Sequence, residues 1–425
     1  MGVIHNITTI SFYKSFSAIV FMAAFLFTSS LQAQTDSLQA QTDFRVISIL
    51  PFFTDLVEEE DAPPARRELR MREIAVENML GVQWAAERLR HEGYNIELCF
   101  FDEVADSLGN YHWDIEDIYE SDVVFGPLQL SPISLSRRII ERTGAEHILL
   151  TPVPDEFLRG SDGIRTVIPS ETYAVDVMAR DIALKHSQDH VIFVMAGGSN
   201  VELEERFLDV FNRELQADTV YADTLAFDTV IASRNSIGSL AEKIDFYKRN
   251  VVVSVAGRAS RSMLSNLQMA VQVNDSTEIF VYTHTELQDL GFIDVKFLER
   301  TRATLPVSEV INWSDSSTNA AIKVFRDKFN THPSKYSIRS HDAFVDAFLR
   351  KMERNLGQMD FSILPAPIAT KFDWVAVEKF AGYVNKYWKL DTFYKRKWCN
   401  SDSVPTLHDF IEPQLDEEGF YIKPN

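Results

Sequence analysis

The chain is poor in the residues that build stapled or metal-centred proteins. Of its 425 residues only Cys99 and Cys399 are cysteine. A disulfide framework or a tetrahedral metal site needs clustered ligands, and two distant cysteines supply neither. A single Cys99–Cys399 bridge stays open for an oxidising compartment. The alternative is a buried free thiol at Cys99, which lies in the apolar run from Ile96 to Phe101. Basic residues are also short: 42 Lys and Arg stand against 62 Asp and Glu, a formal charge of -20. A surface that acidic repels phosphate backbones and anionic headgroups, so nucleic acid and membrane-surface partners are not expected. Catalytic signatures are missing too, with no G-x-S-x-G, H-E-x-x-H or C-x-x-C, and ten His that follow no metal-ligand spacing. The neighbours His341 and Asp342 tempt as a dyad, but adjacent residues on a helix are expected to point different ways. The expectation is a protein that is not an enzyme and carries no cofactor or metal.

What is present begins at the N-terminus. Lys14 is followed by the apolar stretch Ala18 to Phe27, then by Thr28, Ser29 and Ser30, with Ala33 where a signal peptidase takes a small residue. The apolar run is too short to span a bilayer, which takes about twenty such residues. The segment Ser30 to Asp36 recurs as Ser37 to Asp43, so cleavage after Ala33 and after Ala40 read equally well. No cysteine follows either position, which leaves a lipid anchor no attachment point. Export to the periplasm without lipid or membrane insertion is expected.

At 45% hydrophobic residues with 30 Phe, the chain holds apolar material for two cores. From Phe44 onward, short β-branched or aromatic runs alternate with stretches of helical period, the pattern of βα units feeding a parallel sheet. Strands are predicted at Val46 to Phe53, Ile96 to Phe101, Val123 to Phe125 and His147 to Leu150. A helix between the first two carries Ala75, Met79, Val82, Ala86 and Leu89 on one stripe and stops at Gly93. The pattern restarts at Ser170, an N-cap for a helix through Lys185, with strands at Val191 to Met195, Val220 to Phe227, Val251 to Val255 and Ile279 to Tyr282. Gly291 to Ser316 reads as a return crossover, followed by helices at Asn319 to Phe329 and His341 to Glu353. The stretch from Gln358 to Asn425 is rich in Trp, Tyr and Phe and takes no assignment.

These residues resemble the type I periplasmic binding-protein superfamily, especially its branched-chain amino-acid receptor branch. The resemblance runs from about Arg45 to Met352 and rests on order and spacing. It draws on Val46 to Pro51, Gly81 to Gly93, Asn95 to Asp102, and Gly126-Pro127 with Ser131. Arg165 to Ser170 is similar to the signature that crosses into the second lobe, and Phe325, Phe329, Pro333 and His341-Asp342-Ala343 to the helices that return to the first. It implies an α/β fold of two Rossmann-like lobes with parallel sheets and a cleft between them. The expected parts are a signal peptide at 1–33, a linker at 34–43, a first lobe from 44–165 and 300–357, and a second lobe at 166–299. The segment 358–425 is expected to pack on the second lobe. Two loops depart from the family: Ala196-Gly197-Gly198-Ser199-Asn200, where amino-acid receptors carry an aromatic and a Gly, and the acidic insertion Glu58 to Pro64.

In open parallel sheets ligands bind beyond the carboxyl ends of the strands. That rule selects Thr54, Asp102, Gln129, Ser131, Thr151, Ser199, Arg258 and His284. Ser131 before Pro132 reads either as an N-cap or, as the resemblance implies, as the residue that holds a ligand carboxylate at a helix start. Asp102 reads as an acceptor for a ligand ammonium or as a turn closer. Gly197-Gly198-Ser199-Asn200 matches no phosphate-loop spacing and reads as a capping turn. Arg258 reads as an anion clamp or a solvated side chain. Two functions stay open. One is a secreted receptor for an amino acid or other small polar metabolite, and the other is a scaffold of the cell envelope whose partner is a protein.

Overall fold

The computed structural model describes residues 43–54, 65–106, 108–111, 113, 115–217, 226–232, 237–273, 277–289, 291–356 and 364–405. The expected signal peptide and linker (apart from Asp43) and the acidic insertion lie outside them. The chain divides into two compact units. The first gathers the residues through Val167 with Ile311–Thr370 and Ala376–Tyr383, and the second gathers Ile168–Val310 with Lys371–Val375 and the residues from Val384 on.

The first unit alternates strand and helix: β1 (Asp43–Leu50), α1 (Arg66–His91), β2 (Asn95–Asp102), α2 (Ile115–Tyr119), β3 (Val123–Phe125), α3 (Leu130–Thr143), β4 (Glu146–Leu149) and β5 (Ile164–Thr166). The second continues with α4 (Glu171–Lys185), β6 (His190–Met195), α5 (Val201–Ala217), β7 (Phe227–Ile231), α6 (Ile237–Lys243) and β8 (Asn250–Val253), then α7 (Gly257–Val273), β9 (Ile279–Tyr282), α8 (Val295–Arg300) and β10 (Thr304–Val307). The chain then forms α9 (Ser316–Phe329) and α10 (Lys335–Leu356), followed among the described residues by β11 (Trp374–Ala376), β12 (Tyr383–Asn385), β13 (Lys389–Tyr394) and β14 (Lys397–Asn400). Among the described residues the sheets have seven strands each, in the orders β11-β12-β5-β4-β3-β1-β2 and β14-β13-β10-β9-β8-β6-β7. Strands β1 to β5 pair in parallel, with Leu50 opposite Asp102 and Ser48 opposite Phe125. In the second sheet β13 turns antiparallel on β10, and β14 on β13.

Continuous apolar strands such as β6 arise because both faces of the second sheet are covered. Ile192 and Val194 face one cluster with Val252 and Val281, while Val191 and Phe193 face another with Val251 and Val253. The alternation is the period-2 geometry of a strand read twice. In the first unit Phe44 of β1 meets the edges of Phe344 and Phe348 from α10, at centroid distances of 5.5 and 5.3 Å. Trp84 of α1 packs against Phe325 of α9 at 5.0 Å. Ser170 caps α4 as expected, accepting from the Thr172 amide at 3.3 Å. No helix among the described residues is long and apolar enough to cross a membrane.

The structure corrects several expectations. Strand β1 stops at Leu50 because Pro51 has no N–H to continue the ladder. The strand expected at Val220 to Phe227 is found at Phe227–Ile231; residues 220–225 lie outside the described set. The crossover from Gly291 to Ser316 contains β10, a strand of the second sheet, and Ile168–Val310 belongs to the second unit. Cys99 and Cys399 are free thiols, and Cys99 is half-buried rather than enclosed, packed on the cluster of Ile47 and Val124.

Candidate functional site

Among the parallel strands the order reverses at β1/β3 in the first sheet and at β6/β8 in the second. The loops beyond the carboxyl ends of those strands are where this architecture places ligands.

In the first unit the loop after β1 is tied down by Asp102. Its Oδ1 accepts from the amides of Phe52 at 3.1 Å and Val104 at 3.0 Å. Its Oδ2 accepts from the amide and hydroxyl of Thr54 at 2.7 and 3.0 Å. A carboxylate has about four acceptor sites, so these donors fill it. Asp102 is a loop fastener with no capacity left for a ligand ammonium, and the Thr54 hydroxyl is spent on it.

The start of α3 also differs from expectation. Gln129 occupies the N-cap position without a side-chain cap hydrogen bond, and Leu130 is the first helical residue. Ser131 therefore sits one residue inside the helix, exposed to solvent. The helix start is served instead by Glu103, 1% exposed, whose Oε2 accepts from the Leu128 amide at 2.6 Å. Burial raises the Glu103 carboxyl to about 7, and the charge of Asp102 adds to it; hydrogen bonds from Leu128 and Gln129 pull the other way. Glu103 escaped the sequence reading, although it directly follows the Asp-ended strand. Because Ser131 is not the cap, Ser131→Ala should change stability by less than about 0.5 kcal/mol, not the roughly 1 kcal/mol of a lost cap. Urea titration of both proteins measures the difference. Thr151 is half-buried, and its carbonyl accepts from the Thr166 hydroxyl at 3.2 Å.

In the second unit the Gly-Gly loop after β6 has closed on a carboxylate of its own chain. Gly197 and Gly198 take φ of 64° and 61°, and Ser199 is exposed. The Ala196 amide donates to Glu204 Oε1 at 2.5 Å, and the Gly197 amide to both Glu204 oxygens at 3.2 and 3.1 Å. Consecutive amides turned inward form an anion-binding concavity, and the fully buried Glu204 fills this one. Arg258, the second residue of α7, is exposed. His284 lies 3.5 Å from Glu171 Oε1 and accepts from the Glu286 amide at 3.3 Å; its bond to Glu171 holds that carboxyl below its ordinary value. With Pro306 and Trp388, Glu171 and His284 enclose only about 10 Å³, scarcely one water. Among the described residues, no hydrogen bond or ion pair joins Ser199, Arg258 and His284.

His341 and Asp342 do meet, against expectation. His341 Nδ1 lies 2.8 Å from Asp342 Oδ1, Arg88 Nη1 lies 2.8 Å from His341 Nε2, and Trp84 packs on the ring at 4.2 Å. Burial pushes the His341 imidazole below its ordinary value. A neutral ring donates from Nδ1 to the carboxylate and accepts at Nε2 from the guanidinium. Both residues have no exposed surface, so the pair is out of a substrate's reach. No group of three His, Cys, Asp or Glu among the described residues is gathered to hold a metal ion.

No family model matches the chain, and no curated protein matches it significantly. Solved structures do. A putative branched-chain amino acid ABC transporter protein from Rhodospirillum rubrum is 9% identical, with 84% of this chain and 100% of that chain covered and a TM-score of 0.55. An ABC transporter substrate-binding protein from Desulfitobacterium hafniense in complex with Leu is 12% identical over 84% of this chain and 100% of its own, with a TM-score of 0.47. The C-domain of LpoA from Haemophilus influenzae, a regulator of PBP1A, is 10% identical over 84% and 99%, with a TM-score of 0.49. The likeness to the R. rubrum protein concerns the fold, and with the two strand orders it gives the conclusion that this chain has the type I periplasmic binding-protein fold.

Proposed function

We propose that this chain is an exported envelope protein that works through a protein partner rather than by capturing a free amino acid. The observation that carries this reading is Glu103. Its buried carboxyl already takes the Leu128 amide at the start of α3, where the resemblance would put a ligand's carboxylate. Glu204 does the same to the loop after β6, and Asp102, the candidate for an ammonium, has its acceptor sites filled. A zwitterion would have to displace an internal carboxyl at each anion-binding turn. The receptor reading keeps the exposed Ser131, Ser199 and Arg258 and the half-buried Gln129 and Thr151.

The test is thermal unfolding with each common amino acid at millimolar concentration, on protein taken from the native envelope. No amino acid should raise the melting temperature. A ligand at a hundred times its Kd would add about 2.7 kcal/mol, an unmistakable shift, and such a rise would overturn the reading. Intact mass of the same preparation should show a mature chain beginning at Gln34 or Gln41, without an acyl group.

The buried carboxyl also makes a pH prediction. An acid whose pKa is raised in the folded state, here from 4.5 to about 7, binds more protons folded than unfolded between those values. Its contribution to stability is therefore greatest in acid and falls as pH rises. Between pH 5.5 and 7.5 the wild type should lose about 2 kcal/mol relative to Glu103→Gln, which does not titrate. Parallel urea titrations across that range measure it, and a constant difference between the two proteins would show that Glu103 is ionised throughout.

A further inference from the structure

The second unit contains a cavity of about 280 Å³ far along the sheet from the loops just described, at the amino ends of its strands. Arg249 directly precedes β8, Arg302 precedes β10, and His186 follows the last residue of α4. One side of the cavity is apolar, with Leu184, Phe280, Val404 and the ring of Tyr282. Among the described residues that line it, Lys185, Arg249 and Arg302 are cationic and none is acidic.

The charge balance singles out Arg302. Lys185 is compensated by Asp181 at 2.7 Å, and Arg249 by Asp189 at 2.7 Å. Asp189 also holds the His186 ring at 2.7 Å, and the Tyr282 hydroxyl donates to Asp181 at 2.7 Å. The acids behind the wall are thus matched. Arg302 donates to the Pro405 carbonyl at 2.8 Å, and among the described residues no carboxylate lies within ion-pair distance of it. Its backbone takes φ of 43°, a region that a residue with a long side chain rarely adopts. A wall with one guanidinium that no carboxylate of the described residues compensates, beside an aromatic and aliphatic surface, is matched by an anion carried on an apolar body.

We propose that this cavity binds a small organic carboxylate with an aromatic or branched apolar body, the carboxylate on Arg302 and the body against Phe280 and Val404. The site is independent of the strand-end loops and of whether those loops hold an amino acid.

Calorimetric titration of the full chain with phenylacetate and with its neutral counterpart 2-phenylethanol tests the proposal. Phenylacetate should bind at one site, and the alcohol at least about tenfold more weakly, the effect of one charge-assisted bond. Arg302→Gln should weaken phenylacetate by about tenfold or more and leave the alcohol unchanged. Leu184→Trp is the second variant: Leu184 is 78% exposed at the rim, so the larger ring is tolerated by the fold and closes the entrance. It decides the matter if Arg302→Gln melts early through loss of the Pro405 contact. Absence of phenylacetate binding, equal affinity for acid and alcohol, or binding unchanged in Leu184→Trp would each overturn the proposal.

Discussion

Replacing Asp342 by Ala should remove about 3–5 kcal/mol of stability from the first unit, the cost of deleting one partner of a buried, hydrogen-bonded charge. Asp342 has no exposed surface. Its Oδ1 accepts from the Ile368 amide at 2.6 Å and from His341 at 2.8 Å, and its Oδ2 from the amides of Ala369 and Thr370 at 2.9 and 2.7 Å. Three consecutive N–H groups after α10 thus depend on one carboxylate. Removing it strands them away from water, and each unpaired buried donor costs about 1–3 kcal/mol. His341 loses its acceptor as well. Asp342→Asn retains a carbonyl oxygen and should cost less, about 1.5–3 kcal/mol, since a neutral amide offers one acceptor where the carboxylate offered two. Urea unfolding followed by circular dichroism measures both. If Asp342→Ala costs under about 1 kcal/mol, the three amides find other partners and the carboxylate is dispensable.

This carboxylate marks where sequence reading stopped. The alternation of apolar runs and helical stripes was legible, because a strand covered on both faces must be apolar throughout, as β6 is. The Ser170 cap was legible because cap and helix are neighbours in sequence. The start of α3 was not, since the group serving it, Glu103, comes from 25 residues upstream of Leu128 and only folding brings them together. The expectation of a capping serine at Ser131 followed the local pattern and met a distant carboxyl instead. The His341–Asp342 contact was missed for a related reason. Adjacent helical residues do diverge at Cβ, but the two side chains here converge again under Arg88 and the amides after α10. The short strands β11 to β14 are partly polar and lack the apolar length that makes a strand recognisable alone. Where a site is built from groups far apart in sequence, pattern and spacing identify the scaffold and leave the chemistry open.

Gly81 carries the second large effect, and its sign separates local propensity from packing. In an isolated helix Gly81→Ala should be favourable by about 1 kcal/mol, because Ala loses less backbone entropy. In the protein, α1 and α10 cross at this position. A Cβ on Gly81 would stand 2.1 Å from the Ser337 carbonyl oxygen and 2.1 Å from Ser340 Oγ. The Ser340 hydroxyl lies 3.0 Å from the Asn78 carbonyl of α1 and 2.9 Å from the Tyr336 carbonyl of its own helix, so turning away gives up the bond across the seam. The backbone oxygen of Ser337 can move only if the whole helix does. Trp84 and His341 are packed one turn further along the same seam, with Phe325 of α9 against Trp84, so separating the helices opens contacts well beyond the added methyl. Overpacking of a core costs about 1–3 kcal/mol, and occasionally more where backbone must shift. A net loss of about 2 kcal/mol is expected for Gly81→Ala, the upper end of the overpacking cost less the helix propensity gained, against a gain of helix content in a peptide spanning Arg66 to His91. Circular dichroism of the peptide and urea unfolding of the protein give the two signs separately. A protein made more stable by the substitution would mean that the α1–α10 crossing is wider than the 2.1 Å clearances imply.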